Sequence, residues 1–156
     1  MYELEKNIWS EADFSIMGWH DASIWSMVPN SEKFEYLLDL DYIFKWVHPK
    51  ENETYFKFWV APVTMVFENA FDVKINIESR QGLIEVADLH KENPRLTPNG
   101  KFTTHTYRFE CQEGEASIEA TGFKMYVRQK PKLITGQSFN LEERGGVNFG
   151  RALNTL

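Results

Sequence analysis

Residues 34–47 read FEYLLDLDYIFKWV. Phe34, Tyr36, Leu38, Leu40, Tyr42, Phe44 and Trp46 alternate without a break against Glu35, Leu37, Asp39, Asp41, Ile43, Lys45 and Val47. Side chains two apart share one face of an extended chain, so this pattern predicts a half-buried β-strand with one wholly apolar face and one mixed face. At ~3.4 Å per residue the strand would reach roughly 45 Å, a length that predicts a bend or a bulge.

Working outward, residues 22–28 form a partner strand, and 29–33 (Pro-Asn-Ser-Glu-Lys) form a hairpin loop, because Pro and Asn preset turn dihedrals. Residues 55–60 alternate again. Pro62 is expected to interrupt that strand, since proline cannot donate to a ladder, and 63–68 to resume it. Residues 71–78 are a further strand and 83–89 a weaker one. Residues 91–101, with Pro94, Pro98 and Asn99-Gly100, read as a surface loop. Residues 103–111 and 115–129 make a last hairpin around 112–114, with a bulge expected at Gly122. Residues 3–14 supply one or two helical turns at most. The expected fold is mainly β, with antiparallel sheets in a sandwich or open barrel of seven to nine strands and little helix. A parallel sheet would need crossover helices, and none is visible.

The chain has 156 residues, which is one ordinary domain. Residues 1–129 are assigned to that β-rich domain and 130–156 to a polar tail, with Phe139, Leu141, Val147 and Phe149 available to dock it. Aromatic residues make up 15% of the chain and hydrophobic ones 42%, a composition that folds. The net charge of −6 argues against a protein that grips nucleic acid. No apolar run approaches the ~18–20 residues that cross a bilayer. The acidic start, MYELEKNIWSEADF, lacks the basic flank of a signal peptide, so a cytoplasmic location is expected. Cys111 is the single cysteine; it allows no intrachain disulfide or cysteine zinc cluster and reads as a small core hydrophobe. No phosphate-loop, dinucleotide, nucleophile-elbow or metalloprotease motif occurs, so no cofactor and no catalytic residue is assigned.

The densest polar cluster is Gly18-Trp19-His20-Asp21. His20 and Asp21 suit a base or a metal ligand by type, but adjacent residues of an extended segment face opposite ways, so local backbone hydrogen bonding is favoured. Asp39 and Asp41 share a strand face; alternate carboxylates can hold a hard cation, and a solvated face with lysine partners is the favoured reading. His105 falls on the inward parity and reads as a hydrogen-bonded core residue. Tyr126 and Arg128, among Lys124, Lys130 and Lys132, suggest either a stacking, basic nucleic-acid surface or an edge strand guarded by charge, and the acidic net charge favours the edge strand. Trp19, Trp25 and Trp59 are the aromatic anchors expected at a binding face, with core packing the alternative expected for at least two of them.

Gly18-Trp19-His20-Asp21-Ala22-Ser23-Ile24, Leu37 to Phe44 (LLDLDYIF) and Ala61 to Ile77 (APVTMVFENAFDVKINI) resemble a group of small uncharacterised bacterial proteins. More distantly, they are similar to the immunity protein 50 family of polymorphic toxin systems. Trp19, His20, Asp21 and Ala22 match that family's aromatic-His-Asp-Ala start, and Met65-Val66-Phe67 with Val73 and Ile75 match its last strands. Trp19 stands where the family more often has Phe, the connection at 46–55 is longer, and the second half has no counterpart. The resemblance implies a cytoplasmic protein that neutralises a toxin by protein–protein contact, with no catalytic residue to carry over. The other functions weighed are a small-ligand β-barrel lined by the long apolar face, and a metal-dependent hydrolase using His20, Asp21, Asp39 or Asp41. The composition sets no oligomeric state.

Overall fold

The structure is a computed structural model and describes residues 1–154. Its described residues form ten strands: β1 Ile8–Ser10, β2 Ser23–Asn30, β3 Glu35–Val47, β4 Lys57–Glu68, β5 Phe71–Ile77, β6 Val86–Leu96, β7 Thr103–Cys111, β8 Gly114–Ala120, β9 Gly122–Val127 and β10 Lys132–Ile134. They make two antiparallel sheets. The first runs β1-β9-β4-β3-β2, with β10 also paired to β4; the second runs β5-β8-β7-β6. Helix is confined to short 3₁₀ turns at Glu11–Ile16 and Ser31–Lys33.

The two sheets pack face to face over one core. Leu38, Leu40, Met65, Phe67, Phe123 and Met125 of the first meet Tyr107, Phe109 and Ile118 of the second, all without solvent exposure. Phe67 lies 5.2 Å from Tyr107 and 6.0 Å from Phe109 between ring centroids. The interior is therefore filled with side chains. The barrel cavity weighed from the sequence does not form, because neither sheet closes on itself.

The alternation of residues 34–47 holds only in its middle. Phe34 adopts a left-handed backbone (φ 56°) that turns its ring into solvent. Further on, the register of β3 against β4 slips between Ile43 and Lys45. Such a bulge moves every later side chain to the opposite face. Trp46 thus leaves the inward row and pairs with Phe58, on the outer face of the first sheet.

Three local expectations are corrected. Pro62 does not divide β4; it sits where β4 changes partners, from Val127 of β9 beside Val63 to Lys132 of β10 beside Val60. Its missing N–H costs no ladder bond at that gap, and its carbonyl accepts from the Arg128 N–H at 3.0 Å. Residues 115–129 are not one strand, because the chain crosses from the second sheet to the first at Thr121–Gly122. A Cβ on Gly122 would stand 2.6 Å from the Glu11 carboxylate, which instead accepts from the Phe123 N–H. Residues 91–96 continue β6 and are not loop: an edge strand tolerates Pro94, and the register shift between Glu92 and Arg95 accommodates it.

Residues after β10 lie against the outer face of the first sheet as a third layer. Phe139 packs with Ile43, Phe58 and Val60, and the Asn154 N–H donates to the Arg128 carbonyl at 2.7 Å.

Candidate functional site

Two polar constellations stand out. The first lies under the tail. Asp39 and Asp41 are fully buried, which corrects the solvated reading, and Arg144 and Arg128 are buried with them. Arg144 forms a two-pronged pair with Asp39, Nη1 to Oδ2 at 2.7 Å and Nη2 to Oδ1 at 2.5 Å, and its Nε donates to Asp41 at 3.0 Å. Its remaining N–H groups reach the Gly146 and Leu40 carbonyls. Arg128 adds a bond to Asp39 at 2.9 Å and one to Thr64 at 3.0 Å. Trp25 Nε1 and the Phe139 N–H both donate to Asp41, and the Arg144 guanidinium lies 4.6 Å from the Trp25 ring centroid. Two carboxylates and two guanidiniums cancel in charge, and the fork geometry satisfies them. The cluster fastens the tail and offers nothing to solvent.

This placement also corrects the basic-surface readings. Arg128 is inside the cluster, β9 lies between β1 and β4, and the Arg151 guanidinium covers Tyr126 at 5.6 Å. Neither residue forms an open stacking surface or guards a free edge.

The second constellation is a corner of the sandwich. Asp21 has a left-handed backbone (φ 67°) and is tied to β6 by its N–H to the Val86 carbonyl at 2.8 Å. Aspartate tolerates that conformation better than most residues. The turn leaves His20 exposed, with its ring stacked on Trp46 at 5.8 Å and 14°. His20 Nδ1 is 3.1 Å from the Ala87 carbonyl, which can only accept, so Nδ1 carries the hydrogen. Its Nε2 lies 3.6 Å from Asp21 Oδ2, beyond hydrogen-bond length, and that oxygen accepts from Gln137 Nε2 at 2.7 Å.

Glu85 hydrogen-bonds to Asp21, and that bond raises its pKa above the usual carboxylate range; burial and the charges of Asp21 and Glu113 add to the rise. A carboxyl with a raised folded-state pKa holds its proton more tightly folded than unfolded. Its contribution to stability is complete below about 4.5 and is lost as pH rises through the folded value. Glu85→Gln, which keeps a donor and removes the charge, is therefore expected to melt at a higher temperature than the parent at pH 7. The gap should close as pH falls below the ordinary glutamate range. Equal melting temperatures at all pH would show that the charge of Glu85 carries no penalty in the folded protein.

From Trp46 the aromatic surface continues to Phe56 at 5.8 Å and on to His48, 4.9 Å from Phe56. Beside it a shallow depression of about 510 Å³ is lined by residues 53–57 and Thr135. The corner thus joins exposed rings to carboxylates. Among the described residues no group of three or more His, Cys, Asp or Glu is placed to hold a metal ion.

The remaining candidates are scattered. Trp19 is in the core, stacked on Phe14 at 5.4 Å. Trp25 is part of the ion cluster, and Trp59 is half-buried with its ring 6.1 Å from Tyr2. His105 is half-buried beside Tyr107, and burial lowers its pKa ahead of the charges of Lys91 and Arg95. Cys111 is buried, and burial with neighbouring glutamates pushes its thiol up to about 11. Trp46 and Glu85 are not singled out by the sequence; the length of the strand predicts a bend or bulge, which the register slip between Ile43 and Lys45 bears out, but not its place or that Trp46 turns outward there.

No protein-family model matches the chain, and no curated protein or solved structure is significantly similar to it. Among the described residues no helix is long and apolar enough to cross a membrane.

Proposed function

We propose that the protein is a non-enzymatic, cytoplasmic bacterial binding protein that acts by protein–protein contact, as an immunity protein neutralising a toxin. The observation that supports this is the corner where exposed Trp46 and His20 continue into Phe56 and His48 on one side and into Asp21 and Glu85 on the other. An aromatic anchor ringed by polar groups is the usual composition of an energetic centre in an interface. The carboxylates and the net charge of −6 suit a basic partner, whose approach they would steer. His20, Asp21 and Ala22 also carry the resemblance to the immunity family.

The test is co-purification and calorimetric titration with the products of adjacent genes, with growth protection as the biological readout. A stable complex is expected, and Trp46→Ala should weaken it by about thirtyfold, the effect of a typical hot spot. Trp46 is 37% exposed but rests on His20, Phe56 and Phe58, so the variant also loses folding stability, and its binding is measured where circular dichroism shows it folded. A protein that binds no adjacent gene product would overturn the proposal.

A further inference from the structure

A second surface, independent of that corner, is built by the N-terminal segment. Tyr2, Glu5, Trp9 and Ile16 close over Tyr42 and Phe44 of β3 to form a cleft of about 320 Å³. That volume is at the lower end of the roughly 300–1,000 Å³ usual for small-molecule pockets. Four of the six lining side chains are aromatic, and Glu5 supplies the one charge. Phe44 is at the centre of the rings, 4.8 Å from Tyr42, 5.9 Å from Tyr2 and 6.4 Å from Trp9. We propose that this cleft binds a small organic cation of the quaternary ammonium class.

Three observations carry the assignment. The faces of aromatic rings are electron-rich, and several converging rings attract a cation that the surroundings can desolvate. Trp9 already accepts one within the chain, since Lys6 Nζ lies 4.8 Å from its centroid, yet Lys6 does not line the cleft. No basic residue lines it, and the Glu5 carboxylate leaves it net negative. The charge of Glu5 also contributes, after burial, to a raised Tyr2 phenol pKa. The class follows from what is missing. A primary ammonium brings three N–H donors and strong hydration, and beyond the Glu5 carboxylate these walls offer it phenol oxygens, of which that of Tyr42 already accepts from the Gly18 N–H. A methylated ammonium needs no hydrogen bonds and presents apolar surface to the rings.

The test uses the full chain and three probes: tetramethylammonium, choline and 3,3-dimethylbutanol, the uncharged counterpart of choline. Binding is read by calorimetry and by the NMR shift of the Trp9 indole N–H, which is fixed by its bond to the Lys6 carbonyl at 3.0 Å. The two cations should bind and shift that resonance, and the alcohol should bind about tenfold or more weakly. Tyr2→Leu, at a half-buried position, and Glu5→Gln, at an exposed one, should each weaken the cations by about two- to thirtyfold, and the Glu5 change should leave the melting temperature unchanged. Equal binding of alcohol and choline would overturn the proposal, as would the absence of any Trp9 shift with choline. Partner binding at the Trp46 corner is a separate measurement and stands or falls without this one.

Discussion

Arg144→Ala should remove about 3–5 kcal/mol of folding stability, the cost of breaking a buried ion pair from one side. All of its guanidinium hydrogens are used inside the molecule, on Asp39, Asp41, Gly146 and Leu40. Without it the two carboxylates face a single remaining guanidinium, that of Arg128, and both are fully buried. Since a domain has only ~5–15 kcal/mol to lose, a large share of the population would unfold or release its tail. Urea denaturation monitored by tryptophan fluorescence measures the loss, and Trp25, under the guanidinium, reports tail release directly. Asp39→Ala should cost a similar amount. The double variant should cost less than the sum, because it removes a charge of each sign together. Strict additivity would mean that the two side chains do not act as a pair.

Trp19→Ala is the second large effect, at about 3–5 kcal/mol for a large aromatic side chain deleted from a core. Trp19 is 2% exposed and holds Phe14, Tyr42 and Phe123 at centroid distances of 5.4, 6.0 and 5.9 Å. Its indole N–H is buried and has no hydrogen-bond partner among the described residues. Trp19→Phe therefore gives up area but no hydrogen bond, and also removes an unmet donor, so it should cost well under half as much. Thermal melts of the two variants check the ordering. A Phe variant as unstable as the Ala variant would mean that the indole N–H is satisfied after all.

The architecture was readable because β-structure leaves a two-residue imprint. The alternation through Tyr36, Leu38, Leu40 and Tyr42 identifies β3, the longest strand, and the face it buries. What escaped was set by distant partners. The slip between Ile43 and Lys45 depends on how β4 lies alongside, so nothing in residues 34–47 announces that Trp46 turns outward. Asp39 and Asp41 looked solvated because a strand face carrying two acids usually is. Leu37 and Ile43 on that same face were the available sign that it would be covered. Arg144, which answers them, sits in a stretch with Gly145-Gly146 that resembles mobile tail. At the corner, His20 and Asp21 were conspicuous by type, whereas Glu85 and Trp46 join them only through β6 and the bulge.

The separation between Asp39 and Arg144 is 105 residues, and this bears on how the chain is made. A ribosome delivers the two acids long before either arginine that neutralises them. During that interval β3 cannot be sealed on its outer side, because both carboxylates must keep their hydration. The outer face of β3 is thus left uncovered through most of synthesis and closes only after Arg128 and Arg144 have emerged. Nascent chains would depend on their own late residues, or on a chaperone, to stay out of wrong pairings.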